Sequence, residues 1–323
     1  MTLFRLRLWS MKCCVLFLLP FVVLAQSQSS SGSYTFDVNG NRVSAGESHQ
    51  SVSKNGDTTF TQLGVTMNGN SAPREKVEEK LISKTETSKV VERVVTPYDD
   101  NGNPGQPQRM VTSERKNSDG STSTDRAVYY SDINGNFTLG EKETKVSRPA
   151  GENTSTYETT LVRGTANGEV VVERQQGRVV ASKTSSHEDV SIERRDVNGN
   201  LQPAGRLTIA KEEKDGVVKE SKAMFYQDGG QLRLTNQTVS ETQTRKDGSS
   251  VTKVDVFGPN PAGRAAADPP EFREQQIIEK VPGPNKSLSE TYSIRRPTLD
   301  GAGALGPVQK VSERNCTGQC NTP

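Results

Sequence analysis

The sequence predicts an all-β protein: tandem antiparallel β-hairpins joined as a meander, about 32 residues per unit, forming an elongated or curled sheet. Three observations carry this expectation. Asn-Gly turns recur at Asn39-Gly40, Asn68-Gly69, Asn101-Gly102, Asn134-Gly135, Asn167-Gly168 and Asn198-Gly199, with degenerate versions at Gly229-Gly230 and Gly258-Pro259. A second turn falls about midway between several of these, at Asn55-Gly56, Asp119-Gly120, Ala150-Gly151, Asp215-Gly216 and Asp247-Gly248. The stretches between turns are rich in Val and Thr, as in Gly168 to Glu173 and Arg206 to Lys211. Asn-Gly and Asp-Gly between β-branched runs signal hairpins because tight turns matching strand twist need positive φ, which Gly and Asn tolerate.

The units match beyond their turns. Pro107 to Arg115 is echoed by Pro307 to Arg314, each after a Gly-rich turn. Large side chains gather beside the Asn-Gly turns and charges beside the other turns, as in Lys211-Glu212-Glu213-Lys214. Pro73 and the Val77/Leu81 spacing also suit a short helix over 71–82, but the repeat predicts a strand there. Disorder is the main competing reading, since abundant Ser, Thr, Lys and Glu fit it; regular turns between β-branched segments favour a folded array.

Residues 1–25 read as a secretory signal peptide: Arg5, Arg7 and Lys12 precede an apolar run, and Val23-Leu24-Ala25 suits cleavage before Gln26. The expected location is secreted, periplasmic or cell-surface. Residues 26–33 read as a flexible Ser/Gln leader, 34–315 as the hairpin array, 258–270 as a Pro/Ala/Gly-rich insertion loop, and 316–323 as a C-terminal tail. The tail holds Cys316 and Cys320, close enough in an exported chain to predict a small disulfide loop.

The 41 basic and 39 acidic residues become nearly balanced once the three signal-peptide bases are set aside, so nothing recruits nucleic acid. Aromatic residues make up only 5% of the chain, which leaves little to build a thick core. No segment after the signal is apolar enough for a membrane helix. An outer-membrane barrel calls for apolar residues alternating along whole strands, and here charges fall at both parities, so the expectation is no integral membrane segment.

No residue set points to catalysis. His49 and His187 stand apart without an evident nucleophile or orienting acid. Gly301, Gly303 and Gly306 match the dinucleotide-binding spacing, but Pro307 and a strand-like segment follow in place of a helix. No cofactor is expected. Asp37, Asn39, Asn41, with Asp132, Asn134, Asn136 and Asp196, Asn198, Asn200, place side-chain oxygens at alternate positions as calcium loops do; a plain hairpin turn capped by Asp is the simpler reading. Tyr98, Tyr129, Tyr130, Phe225 and Tyr226 are the candidates for a ligand stripe.

These observations lead to a non-enzymatic exported repeat protein with a structural, adhesive or surface-associated role. The alternative is a binding module holding a glycan, lipid or peptide along an apolar or aromatic stripe. The expected partners are a cell-surface or extracellular polymer and further copies of the chain, joined through open sheet edges.

Overall fold

A computed structural model describes residues 26–36, 41–67, 70–259, 269–298 and 304–318. The strands run β1 (Gln26–Phe36), β2 (Arg42–Asn55), β3 (Thr58–Met67), β4 (Asn70–Lys84), β5 (Ser88–Pro97), β6 (Gln108–Lys116), β7 (Thr122–Ser131), β8 (Phe137–Gly151) and β9 (Thr154–Thr165). They continue as β10 (Gly168–Ala181), β11 (Ser185–Arg195), β12 (Leu201–Lys214), β13 (Val217–Asp228), β14 (Gln231–Thr244), β15 (Ser250–Gly258), β16 (Glu271–Pro282), β17 (Leu288–Arg295) and β18 (Gln309–Gly318). Each pairs antiparallel with the next, and β1 pairs with β18, so the 18-stranded sheet closes on itself. The meander read from the turns is present, but it forms a barrel instead of an open elongated or curled sheet. Strands ~4.8 Å apart and tilted by ~40° set a diameter of roughly 35 Å between backbones.

Closure changes the reading of both chain ends. Gln26–Phe36, expected to begin as a flexible leader, is the strand that joins β2 to β18. Cys316 to Gly318, expected in the tail, belongs to β18 and faces Ser29 to Ser31. The two ends are tied by side chains as well. Arg42 reaches across β1 to Glu313 at 2.9 Å, its guanidinium stacked 3.6 Å from the centre of the Tyr34 ring. Ser31 and Ser48 share a 2.5 Å hydrogen bond beneath them. The expectation of self-association through sheet edges is corrected by this geometry, because β1 and β18 satisfy each other's ladder and leave no open edge between them.

The two families of turns occupy opposite rims. Odd-to-even connections, including Asn101-Gly102, Asn134-Gly135 and Asn198-Gly199, form a first rim; even-to-odd connections, including Asn55-Gly56, Asp119-Gly120 and Asp247-Gly248, form the second. Just past the first rim almost every even strand carries one extra residue: Ala45, Arg74, Gly140, Val172, Ala204, Thr235, Arg273 and Val311. A bulge bends its strand and increases local twist. Repeated once per hairpin on the same side, these bulges supply the curvature that brings β18 round to β1.

The wall is one layer thick. Among the described residues, only Val77, Val190, Ile192, Ala223, Ile294 and Cys316 of the apolar ones are buried. Register divides the strand residues between two faces, named here for Val190 and Tyr34. Val190 lies opposite Gly177 and Leu207, and Leu207 opposite Met224, so these share a face. Val77, Ile192, Ile294 and Cys316 also fall on the Val190 face; a concave surface crowds side chains in this way. Residues 71–82, where a short helix was the other option, lie within β4.

Gly177 shows how tightly one patch of the Val190 face is built. Tyr157 lies flat across it to donate a 2.5 Å hydrogen bond to Glu188 on β11, and a Cβ at Gly177 would collide with the ring. Gly177→Ala should lift the ring off the wall and cost about 1–3 kcal/mol, read as a lower urea midpoint. An unchanged midpoint would show that the ring does not pack there.

Candidate functional site

Charge gives the wall its most consistent chemistry. Residues directly opposite across an antiparallel ladder interact strongly, and like charges there repel. On the Val190 face the ladder sets Glu79 against Arg93, Lys89 against Glu114, Arg126 against Glu143, and Glu141 against Arg163. It also sets Glu173 against Arg194, Lys211 against Glu220, and Glu290 against both Lys280 and Arg314. The Tyr34 face does the same with Lys80 and Glu92, Arg174 and Glu193, Arg178 and Asp189, and the run Glu212, Lys219, Glu241, Lys253. Among the described residues, Lys84 opposite Lys89 is the one like-charged pair.

Several of these pairs close to contact. Arg194 meets Glu173 at 2.8 Å, Lys280 meets Glu290 at 3.6 Å and Arg163 meets Glu141 at 3.8 Å. Others pair diagonally: Arg109 holds Glu92 at 2.7 Å, and Arg206 makes a two-pronged contact with Asp189. Neither face carries an uninterrupted apolar band, because nearly every strand brings charged residues to each side.

The described first-rim turns are closed by their own aspartates. Asp132 accepts from the backbone amides of Asn134 and Asn136 at 2.8 and 2.9 Å, and from Asn136 Nδ2 at 3.1 Å. Asp196 takes the equivalent amides of Asn198 and Asn200 at 2.9 and 2.8 Å, and Asp99 does so in a third turn. Gly135 and Gly199, with φ of 80° and 91°, complete a type I turn with a positive-φ residue, which explains the Asp-x-Asn-Gly-Asn string without a cation. Asp37 and Asn39 lie outside the described residues. No cluster of three or more His, Cys, Asp or Glu able to hold a metal occurs among the described residues.

The aromatic candidates do not form a stripe. Tyr129 and Tyr130 are neighbours on β7 and point to opposite faces, as do Phe225 and Tyr226 on β13. Tyr98 sits outside the long strands, bridged to Pro104. Tyr130 covers the bulge glycine Gly140, where a Cβ would run into its ring. Cys316 is disulfide-bonded, and Cys320 lies outside the described residues, as do the signal peptide and most of the 258–270 loop.

Among the recesses in the described wall, two hold the histidines His49 and His187. One of about 720 Å³, beside the β1–β18 seam, is lined by Ser30, His49, Ser51, Gln62, Gly64 and Thr317. The other, about 520 Å³, is lined by His187, Ala210, Glu212, Lys219, Ser221 and Val239. Both are dents left by short side chains on the Tyr34 face. His49 meets Thr66 Oγ1 at 3.2 Å. Neither recess gathers the nucleophile, base and orienting acid that catalysis needs.

Ring closure, strand count and a wall with two wet faces define a large closed meander barrel. Solved barrels from Pseudomonas aeruginosa share this architecture. OpdL is 9% identical, with 92% of this chain and 98% of OpdL covered at a TM-score of 0.53. OccK3 (OpdO) is 11% identical, covering 91% and 94% at 0.53, and OpdQ 10% identical, covering 91% and 96% at 0.51. No protein-family model and no curated protein sequence matches the chain.

At these identities the likeness concerns the fold alone, a closed 18-stranded antiparallel barrel. It corrects three expectations: the structural or adhesive repeat protein, the open ligand-binding stripe, and the absence of an integral membrane segment. The first two assumed an open sheet and the third rested on charges at both strand parities; the closed 18-stranded barrel overturns them. No helix among the described residues is long and apolar enough to cross a membrane, which says nothing of strands. An exported, cell-envelope location agrees with this fold.

The turn aspartates give a direct test. The carboxyls of Asp132 and Asp99 are held below the usual carboxylate range, chiefly by the side-chain amides of Asn136 and Asn103. Those of Asp119 and Asp247 are held low chiefly by the hydroxyls of Ser121 and Ser249. A depressed folded value means that capping is fully present above the unfolded value of about 3.9 and is lost as pH falls through the lower folded value. Carboxyl NMR titration should place all four midpoints below about 3.9, with no displacement on adding calcium. Midpoints that move with calcium would return these turns to the metal-binding reading.

Proposed function

We propose that this protein is an outer-membrane channel of a Gram-negative cell envelope, with a water-filled lumen that passes hydrophilic solutes. Closure of 18 strands is the observation that carries the proposal: barrels of 16 to 18 strands are too wide for side chains to fill and leave an aqueous path. Most strands are 9–15 residues long, enough at the usual tilt to span a hydrocarbon layer. The Val190 face, where crowding is greatest, lines the lumen in this reading.

The first rim offers groups suited to a bilayer interface. Ile133 and Val197 stand almost fully exposed at turn tips. The wall charges oppose insertion, since a lone Lys or Arg at the lipid midplane costs about 2–4 kcal/mol. Pairing across the ladder, as for Arg109 with Glu92 and Arg206 with Asp189, offsets part of that cost by neutralising each charge with its neighbour.

Purified mature chain added to a planar lipid bilayer should produce stepwise conductance, and in native membranes it should resist alkaline carbonate extraction. Release by carbonate together with an absence of conductance steps would contradict the channel.

A further inference from the structure

We propose that the lumen sorts solutes by size and polarity and not by charge, so that the channel admits uncharged and zwitterionic solutes and discriminates poorly between small cations and anions. The inference rests on the channel reading above and extends it to the substrate class.

The ground is the placement of charge along the Val190 face. A selective pore needs a ring or ladder of one sign facing the solute. On β7 to β11, Lys145 lies over the Tyr157 ring, whose hydroxyl donates to Glu188, and three pairs stand directly opposed: Arg126 across from Glu143, Glu141 across from Arg163, Glu173 across from Arg194. The last pair is in contact at 2.8 Å. Opposite charges a few ångströms apart form a dipole whose field fades much faster than that of a single charge. In a barrel roughly 35 Å across, the axis lies about 17 Å from the backbone wall, beyond the Debye length of about 8–10 Å at physiological salt. A solute near the axis therefore meets a polar, hydrogen-bonding wall with almost no net potential. The Tyr34 face is paired by the same rule.

The deciding experiment is the reversal potential of the full mature chain in a planar bilayer under a potassium chloride gradient. The wild type should give a cation-to-anion permeability ratio of about 1. The triple variant Arg126→Gln, Arg163→Gln, Arg194→Gln leaves three unmatched carboxylates and should become severalfold cation-preferring. The mirror variant Glu141→Gln, Glu143→Gln, Glu173→Gln should shift by a similar factor toward anions. Single-channel conductance close to wild type confirms that each variant has folded and inserted. Strong selectivity in a conducting wild type, or conducting variants with an unmoved ratio, overturns the inference and leaves the channel standing. Absence of conductance in the wild type overturns the channel and this inference with it.

Discussion

The backbone ladder between β1 and β18 is the interaction on which the rest of the structure depends. A single-layer sheet with so few buried apolar residues has no core to hold it together, so its stability rests on hydrogen bonds and cross-strand pairs. Left open, such a sheet presents two edges of unpaired amides and carbonyls that invite association. Joining Ser29–Thr35 to Ser312–Gly318 satisfies both edges at once. Arg42, reaching over Tyr34 to Glu313, adds a side-chain tie at the same seam.

Closure in turn makes register critical. A slip of one residue anywhere in the ring moves every side chain of a strand to the other face, and a ring cannot absorb the error at an edge. Many β proteins fix register through an apolar face. Here charge complementarity fills that role, since a slip would set Glu173 or Arg126 against a different neighbour and lose the match on both faces. Turn geometry and the repeated bulges fix the remaining freedom, one at the rim and one a few residues into each returning strand.

Much of this was legible in the sequence. Asn-Gly and Asp-Gly turns at two interleaved spacings gave the meander, the strand positions and the opposite rims. Closure was not legible, because the β1–β18 pairing joins residues nearly 290 positions apart and Gln26 to Ser33 carries no strand-like composition. Period-two apolar alternation, the sequence signature of a membrane barrel, is absent from these strands, and the closed wall carries paired charges at both parities in its place. The charge pairs themselves could have been found by aligning successive strands outward from their turns and checking the sign of each opposed pair. The aromatic stripe failed because Tyr129-Tyr130 and Phe225-Tyr226 are adjacent in strands, where neighbours face opposite ways.

The most direct measurement is a cross-link across the seam. Thr35 and Ser312 are register partners in β1 and β18, and directly opposed antiparallel residues lie within disulfide reach. With Thr35→Cys and Ser312→Cys combined, oxidation of the folded mature chain should join the two introduced thiols within one molecule. Peptide mapping should then find β1 linked to β18 in a monomer whose circular dichroism is unchanged. Cross-links found only between chains, or none at all in a β-rich folded protein, would mean that the sheet is open and that the barrel account is wrong.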